Sequence, residues 1–293
     1  MKHETVGAVS STSVADINFL SNIRTVGSIN KIFFPTNAEE IQKVYIYSNE
    51  NHFEVYPLGG GSNTLIGHLD KIVLISDRCL EKEFQLDATN HNILIVSSKL
   101  NINYIALRAL EYGLGGLDFI VGLPAHLGGL VFMNAGAYER NISDFIEWID
   151  VVNENGEKRL YKKDIKFEYR YTDIKGFILR VCLKLNRINK ETYRQEMKQS
   201  LINRRNKYPM SYPNLGCFFK NPENNHAGYL IEQAGLKSYQ IGGAMVSSMH
   251  ANFLVNVGNA TFEDFVALIE HVKKVVYDKF GLHLQEEVRI ING

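Results

Sequence analysis

Residues 57–66 read PLGGGSNTLI, with three consecutive glycines, Gly59, Gly60 and Gly61, followed by Ser62 and Asn63 and flanked by the apolar residues 55–58 and 65–66. Glycine reaches positive φ without strain and lets a ligand lie on the main chain. The run therefore suits backbone N–H groups aimed at an anion, most naturally a phosphate. The same composition also makes an ordinary surface turn. Two named phosphate motifs are excluded. The dinucleotide fingerprint needs G-x-G-x-x-G opening a long helix, but Thr64 stands where its third glycine belongs. Only residues 62–70, broken by Gly67, separate the loop from the strand-like run 71–75. The pattern G-x-x-x-x-G-K-[ST] occurs nowhere in the chain. A phosphate held here would sit in a strand–loop–strand setting.

Other residues could do chemistry but have plain readings of their own. Arg170 lies between tyrosines, as stacked surface arginines do, and Glu287 near the C-terminus could pair with Arg289. Three cysteines, Cys79, Cys182 and Cys217, are an odd number at wide spacing, against a disulfide framework and against a zinc site. No metal is expected. Cys79 and Cys182 sit in or beside apolar strand-like runs and read as core; Cys217 does not fit that description.

The 293 residues are 45% hydrophobic and 22% charged, ordinary for a soluble globular chain of two or three domains. Lys+Arg and Asp+Glu each count 32, so no global field points to nucleic acid or an anionic membrane, and any anion must be bound locally. The N-terminus lacks an apolar signal core and no segment approaches a membrane span, so the expected location is cytoplasmic.

The elements that must position these groups form an α+β mixture without a regular βαβ repeat. Thr36 to Glu40 predicts a helix start capped by Asn37, running to about Asn49. Strand-like runs are expected at 53–58, 71–75, 84–87 and 92–98, then a helix over about 101–112 ending at Gly113. From about 117 to 138 the chain is glycine-rich again. Strands at 146–152, 158–161 and 177–185 precede a polar helix, 190–206, that reads as the joint between domains. A short helix is expected near 227–234, and a long one over 261–280, with Phe262, Phe265, Val266, Ile269, Val272, Val276 and Phe280 at helical spacing, Thr261 and Asp264 as its cap and Gly281 closing it. Leu282, Leu284, Val288 and Ile290 alternate as a final strand, with Glu287 and Arg289 on its other face.

PLGGGSN and GLPAHLGGLVFMNAGAY, about sixty residues apart, together resemble the two flavin-cradling segments of the UDP-N-acetylenolpyruvoylglucosamine reductase family. The resemblance runs from about Asn22 to Ile291 and takes in residues 168–172 (EYRYT), 216–222 (GCFFKNP), the stretch AGYLIEQAGLKS, residues 250–253 (HANF) and the closing 286–289 (EEVR). It implies an FAD-binding domain of the vanillyl-alcohol-oxidase (PCMH) type over 21–187, in two subdomains split near 98–105. An N-terminal segment, 1–20, precedes it and a smaller α+β substrate-binding domain, 188–293, follows.

By that resemblance, FAD would be held non-covalently, its pyrophosphate at Gly59, Gly60, Gly61, Ser62 and Asn63. Gly122, Pro124, Gly128, Gly129, Asn134, Gly136, Ala137 and Tyr138 would complete the cradle, although Asn134 and Tyr138 could equally hold the loop itself. The chain departs from the family at Ala125–His126 and Glu139–Arg140, and His126 reads as structural or solvent-facing. NADPH would be the co-substrate and a UDP-sugar the substrate, bound by a monomer. Arg170 matches the carboxylate-binding arginine, Glu287 the C-terminal acid that stabilises the enolic intermediate, and Cys217 the proton donor, at a position where many members have serine. Tyr169, Lys207 and Asn221 would contact the substrate, with Ser247 and His250 behind them. The chain is too short between Tyr171 and Lys184 for the substrate-capping insertion of one subgroup. A different flavin oxidoreductase on the same fold, such as an oxidase, and a non-catalytic nucleotide-binding protein are the alternatives.

Overall fold

The computed structural model describes residues 3–6, 9–14, 19–25 and 29–293, so part of the expected N-terminal segment, 1–20, lies outside the described residues. The chain forms two compact units. The first comprises residues 1–13, 31–60 and 71–203; the second comprises 14–30, 61–70 and 204–293.

Two sheets build the first unit. One has the strand order His3–Val6, Val9–Val14, Ile29–Phe33, Ile72–Ser76, Glu54–Leu58, and its last three strands run parallel. Helix α1, Ala38–Glu50, follows the predicted cap. Asn37 Oδ1 accepts from the Glu40 amide at 3.0 Å, and the Glu40 carboxylate accepts from the Thr36 amide at 2.7 Å, one residue earlier than a standard capping box. Its apolar face, Ile41, Val44 and Tyr45, is buried with Phe33, Val73 and Ile75 of the sheet.

The other sheet is antiparallel, in the order Gly156–Tyr161, Ile146–Asn153, Phe177–Lys184, Ile93–Ser97, Phe84–Leu86. Cys182 lies inside it, and burial pushes its thiol up to about 12. Cys79 corrects the expectation of a second core thiol, because it is exposed. The apolar run ends at Ser76, whose hydroxyl accepts from the Arg78 amide and turns the chain outward through a single 3-10 turn, Asp77–Cys79. Helices α2, Ile102–Glu111, and α3, Leu127–Phe132, place Ile102, Ile105, Leu127 and Val131 in this core. The polar helix α4 spans Lys190–Lys207, and the boundary between the units falls inside it.

The second unit holds α5, Ala227–Gln233, and α6, Phe262–Phe280. Its strands are an antiparallel set, Gln240–Ile241, Ala244–Val246 and Leu254–Asn256, and a parallel pair, Thr64–Ile66 with Arg289–Ile291. Helix α6 buries Phe262, Phe265, Leu268, Ile269, Val272 and Val276, whereas Val266, expected on the same face, is exposed. Gly281 closes it at φ +67°, where a side chain would be strained.

The final strand is shorter than its alternation suggests, beginning only at Arg289. Before it the backbone is used up in single bonds to another segment, with Lys220 N donating to Gln285 O and Glu287 N to Phe218 O, each at 2.8 Å. Ile291 is buried in place of the expected Ile290. No described helix is long and apolar enough to cross a membrane.

The α6 cap generates a stability prediction. Thr261 Oγ1 accepts from the Asp264 amide, while the Asp264 carboxylate accepts from both Thr261 N and Gly243 N, at 3.0 Å each. Thr261→Ala should cost about 1 kcal/mol and Asp264→Ala about 2 kcal/mol, since the latter strips two amides of their acceptor. Urea unfolding of the two variants beside the parent chain measures the difference; equal costs would contradict the tie to Gly243.

Candidate active site

In the first unit, the strand Glu54–Leu58 delivers Gly59 and Gly60 against the second glycine segment. A Cβ on Gly60 would meet His126 Cδ2 at 3.1 Å, tighter than ordinary contact, whereas one on Gly59 would meet Asp77 Oδ2 at 3.4 Å and fit. His126 Nδ1 lies 2.7 Å from Asp77 Oδ2, and Asp77 is buried with its other oxygen, Oδ1, lacking a partner. Across the same segment, Gly128 N donates to Ser98 O at 2.8 Å, and the buried Ser98 Oγ also lacks a partner. A Cβ on Gly129 would meet nothing within 4 Å, so α3 presents bare backbone to open space there.

Asn103, not singled out by the sequence reading, clamps the start of this segment. Its Oδ1 accepts from Gly122 N at 2.5 Å and its Nδ2 donates to Leu123 O at 2.9 Å, which leaves Pro124 at the surface.

Beyond α3 the backbone turns sharply. Asn134 is buried at φ +41°; its Nδ2 donates to Glu168 O at 2.9 Å and its Oδ1 accepts from Ser143 N at 3.4 Å. Those bonds hold the loop. Gly136–Ala137 pairs with Arg140–Asn141 around a two-residue turn, Tyr138–Glu139, in which both residues have positive φ, +54° and +60°. Glycine would be unstrained at Glu139, so the glutamate there carries a backbone cost of about 1 kcal/mol. Arg140 offsets it by forking onto both oxygens of Asp118, which holds the hairpin; burial alone would raise the Asp118 carboxyl, but the guanidinium wins and keeps it below its ordinary range. Tyr138 is 67% exposed at the tip.

The neighbouring hairpin, Phe167–Glu168 with Tyr171–Thr172, carries Tyr169 and Arg170 in its turn. Arg170 has φ +56° and its Nη2 donates to Gly136 O at 2.8 Å, so the arginine is tied to the Gly136–Ala137 strand. Its guanidinium carbon also lies 5.0 Å from the Tyr169 ring centroid. Thr172 Oγ1 fixes the hairpin to Phe132 O at 2.8 Å. Thus Gly136, Ala137 and Arg170 come together.

The second unit gathers a different set. Gly61, at φ +64°, lies against residue 20 so closely that any Cβ would overlap the Leu20 carbonyl. Its own carbonyl accepts from Asn22 N at 2.9 Å, whereas the amides of Gly61, Ser62 and Asn63 donate to no described residue. Asn63 spans to the C-terminal segment, its Nδ2 donating to Glu287 O at 3.2 Å and its carbonyl accepting from Arg289 N at 3.0 Å. Glu287 N donates in turn to Phe218 O at 2.8 Å, one residue from Cys217. Cys217 itself is half-buried after Gly216, which has φ +81°.

Asn252 locks that segment by receiving Phe219 N on Oδ1 at 2.9 Å and donating to Phe219 O at 2.8 Å, while Phe218 N donates to Asn252 O at 2.8 Å. Its signal in the sequence was only its place in the His250–Phe253 run. Ser247 Oγ accepts from Met249 N at 3.1 Å and serves the turn before that run. His250 packs against Tyr208 and Phe253 with centroids 5.5 and 5.1 Å away; burial, and then the charge of Lys207, hold its pKa below the ordinary histidine value. Lys207 is exposed at the end of α4. Asn221 Oδ1 accepts from Ala227 N at 3.1 Å and so starts α5.

The three glycines separate in consequence. Gly61→Ala should destabilise the chain by about 2 kcal/mol or more through positive φ and overlap, whereas Gly59→Ala should stay within about 0.5 kcal/mol. Thermal melts of the two variants check this, and an unperturbed Gly61→Ala would contradict the local geometry.

Residues 29–159 match a family model described as an FAD binding domain, and residues 208–291 match the C-terminal domain of UDP-N-acetylenolpyruvoylglucosamine reductase. Among curated relatives, the UDP-N-acetylenolpyruvoylglucosamine reductase of Caldanaerobacter subterraneus subsp. tengcongensis is 34% identical over 275 residues, covering 90% of this chain and 88% of that one. The one from Chloroherpeton thalassium is 37% identical over 278 residues, with the same two coverages of 90% and 88%. The crystal structure of UDP-N-acetylenolpyruvylglucosamine reductase from Thermus caldophilus superposes with a TM-score of 0.81 at 26% identity, over 97% of this chain and 100% of that one.

Proposed function

We propose, from the premise that this chain belongs to the UDP-N-acetylenolpyruvoylglucosamine reductase family, that it reduces the enolpyruvyl ether of UDP-N-acetylglucosamine to UDP-N-acetylmuramate for peptidoglycan precursor synthesis. The observation that carries this reading beyond family membership is the backbone ladder that sets Glu287 beside the Cys217 segment and ties both to the phosphate-loop residue Asn63. An α+β chain with an FAD-binding domain needs no Rossmann helix at its glycine loop. We assign the flavin to the region 21–187 and the sugar nucleotide to 188–293.

The residues present fit FAD, bound non-covalently. The unpartnered amides of Gly61, Ser62 and Asn63 suit its pyrophosphate, and the bare backbone at Gly129 leaves room beside the segment that includes Gly122, Pro124, Gly128, Asn134, Gly136, Ala137 and Tyr138. Bound FAD would carry the hydride from NADPH to the terminal methylene carbon of the substrate.

The protein's task is then to stabilise the negative charge that develops toward the substrate carboxylate and to supply one proton. Arg170 suits the first part. Its backbone is held in a sparsely populated conformation and its side chain is braced on Gly136, so the guanidinium is oriented before substrate arrives. Glu287 works with it on the enolic intermediate. Cys217 gives the proton to the carbon adjacent to the one that received the hydride. A thiol with a reference pKa of about 8.5 stays mostly protonated at neutral pH yet releases its proton far more readily than an alcohol. Tyr169, Lys207 and Asn221 contact the sugar nucleotide, Asn221 through the Nδ2 group that its helix-capping oxygen leaves over. The enzyme acts as a cytoplasmic monomer, with no nucleic acid or membrane partner.

The purified protein should be yellow, bleach with NADPH under anaerobic conditions, and recolour on adding the enolpyruvyl sugar nucleotide. Rapid recolouring by oxygen alone would make it an oxidase, and a colourless protein a nucleotide binder. Arg170→Ala and Glu287→Gln should bleach at nearly the parent rate but recolour about a hundredfold more slowly, because their interactions strengthen as charge develops. Equal slowing of both half-reactions would remove them from these roles.

A further inference from the structure

The segment that carries Cys217 is fixed by two different means. Apolar packing sets where it lies. Phe218 and Phe219 are fully buried, and Phe218 stacks on Phe265 of α6 with ring planes 1° from parallel. Such packing is non-directional, so it anchors side chains without dictating how the peptide groups beside them tilt. Hydrogen bonds set the tilt, because they have a preferred angle as well as a distance.

Two asparagines supply those bonds, one on each side of the cysteine. Upstream, Asn214 Oδ1 accepts from Gly216 N at 3.0 Å, and its Nδ2 donates to Tyr212 O at 2.8 Å and to Pro209 O at 3.3 Å. The turn closed in this way puts Gly216 at φ +81°, although a Cβ there would meet nothing within 4 Å. Glycine is therefore required by backbone direction and not by crowding. Downstream, Asn252 O accepts from Phe218 N at 2.8 Å. The Asn252 carboxamide takes both backbone groups of Phe219, its Oδ1 receiving N at 2.9 Å and its Nδ2 donating to O at 2.8 Å. Asn252 is 2% exposed, and its own amide donates to His250 Nδ1 at 3.3 Å. The chain is thus held at the amide of Gly216 and again at the peptide joining Cys217 to Phe218. Peptides are planar, so little freedom remains in the direction of the Cys217 Cα–Cβ bond.

We infer that Asn214 and Asn252 are positioning residues for protonation, aiming the Cys217 thiol at the substrate carbon that receives its proton. The inference rests on the reading of Cys217 as proton donor. In that step the S–H bond breaks and the enolic electron pair forms a C–H bond at the carbon next to the one that took the hydride. The thiolate left behind is reprotonated from solvent. Hydride transfer comes first and does not use the thiol, so a misdirected thiol delays the proton alone. A proton donor must stand within hydrogen-bond reach of its acceptor, and a displacement of about 1 Å costs on the order of a hundredfold in rate.

The test is a single turnover of the NADPH-reduced holoprotein with the enolpyruvyl sugar nucleotide, following flavin absorbance and saturated product together. The chains compared are the parent, Asn214→Ala, Asn214→Ser and Asn252→Asp, with melting curves to verify folding. Serine keeps an oxygen that can accept from Gly216 N, as it does in such turns, and gives up the two donated bonds. Aspartate keeps the volume and the acceptor of Asn252 but sets an oxygen against Phe219 O. In Asn214→Ala and Asn252→Asp, flavin reoxidation should stay within about threefold of the parent while product forms about ten- to a hundredfold more slowly. Asn214→Ser should restore product formation to within about threefold of the parent. Repeated in a Cys217→Ala background, where no thiol is left to aim, the same substitutions should add no further delay, whereas a purely structural role would add it again. Should Asn252→Asp fail to fold, the contrast between Asn214→Ala and Asn214→Ser decides alone. Parent-rate product formation in a folded Asn214→Ala or Asn252→Asp, equal slowing of both steps, or additive delay in the Cys217→Ala background overturns the inference. Product formation by Cys217→Ala at the parent rate instead overturns the reading of the thiol as proton donor.

Discussion

One backbone hydrogen bond organises the second unit, from Glu287 N to Phe218 O at 2.8 Å. It fixes a C-terminal acid one residue away from Cys217 without a regular strand between them. Asn63 extends the tie from the other direction by contacting Glu287 O and receiving Arg289 N. Three stretches far apart in sequence therefore share a single network in which moving any member displaces the others. The segment lies on a packed floor, since Phe218, Phe219 and Val288 are buried with the apolar face of α6.

The loops carrying the candidate residues lean on asparagine side chains where a sheet would use its own ladder. Asn103, Asn134 and Asn252 each bind backbone groups of another segment, and Asn134 and Asn252 are buried. A carboxamide can donate and accept at once, so it satisfies an irregular backbone that would otherwise leave polar groups orphaned. The first unit also stores conformational strain. Tyr138, Glu139 and Arg170 all have positive φ, at about 1–2 kcal/mol each, and such residues persist only where neighbours over-determine them. The fork of Arg140 on Asp118 and the bond from Thr172 to Phe132 supply that restraint.

Much of this was legible in the residues. Helix α6 announced itself through period and caps because both signals are local, and α1 did so through Thr36 to Glu40. The loop between the strands Glu54–Leu58 and Thr64–Ile66 has the strand–loop–strand setting expected once the Rossmann helix was excluded. What stayed hidden depends on partners distant in sequence. Cys79 follows an apolar run yet is exposed, because the capping bond of Ser76 decides where the strand stops. Alternation at the C-terminus suggested one continuous strand, whereas residues 285–287 bond to the segment around Phe218. The contact of His126 with Asp77 joins residues 49 positions apart, and no local pattern marks Asp77. Gly59, Gly60 and Gly61 look alike as letters, but only Gly61 is required by its backbone angle.

If the ladder around Glu287 exists to hold a proton donor, substitutions at Cys217 should separate hydride transfer from protonation. The decisive measurement is a single-turnover comparison of Cys217→Ser and Cys217→Ala, following flavin absorbance and saturated product in the same reaction. Serine should still form product, since a hydroxyl at the same place can relay a proton. Alanine should return the flavin to its oxidised spectrum while product lags far behind or fails to accumulate. Product formation by Cys217→Ala at the parent rate would show that the thiol is a bystander and that the proton comes from water or another residue.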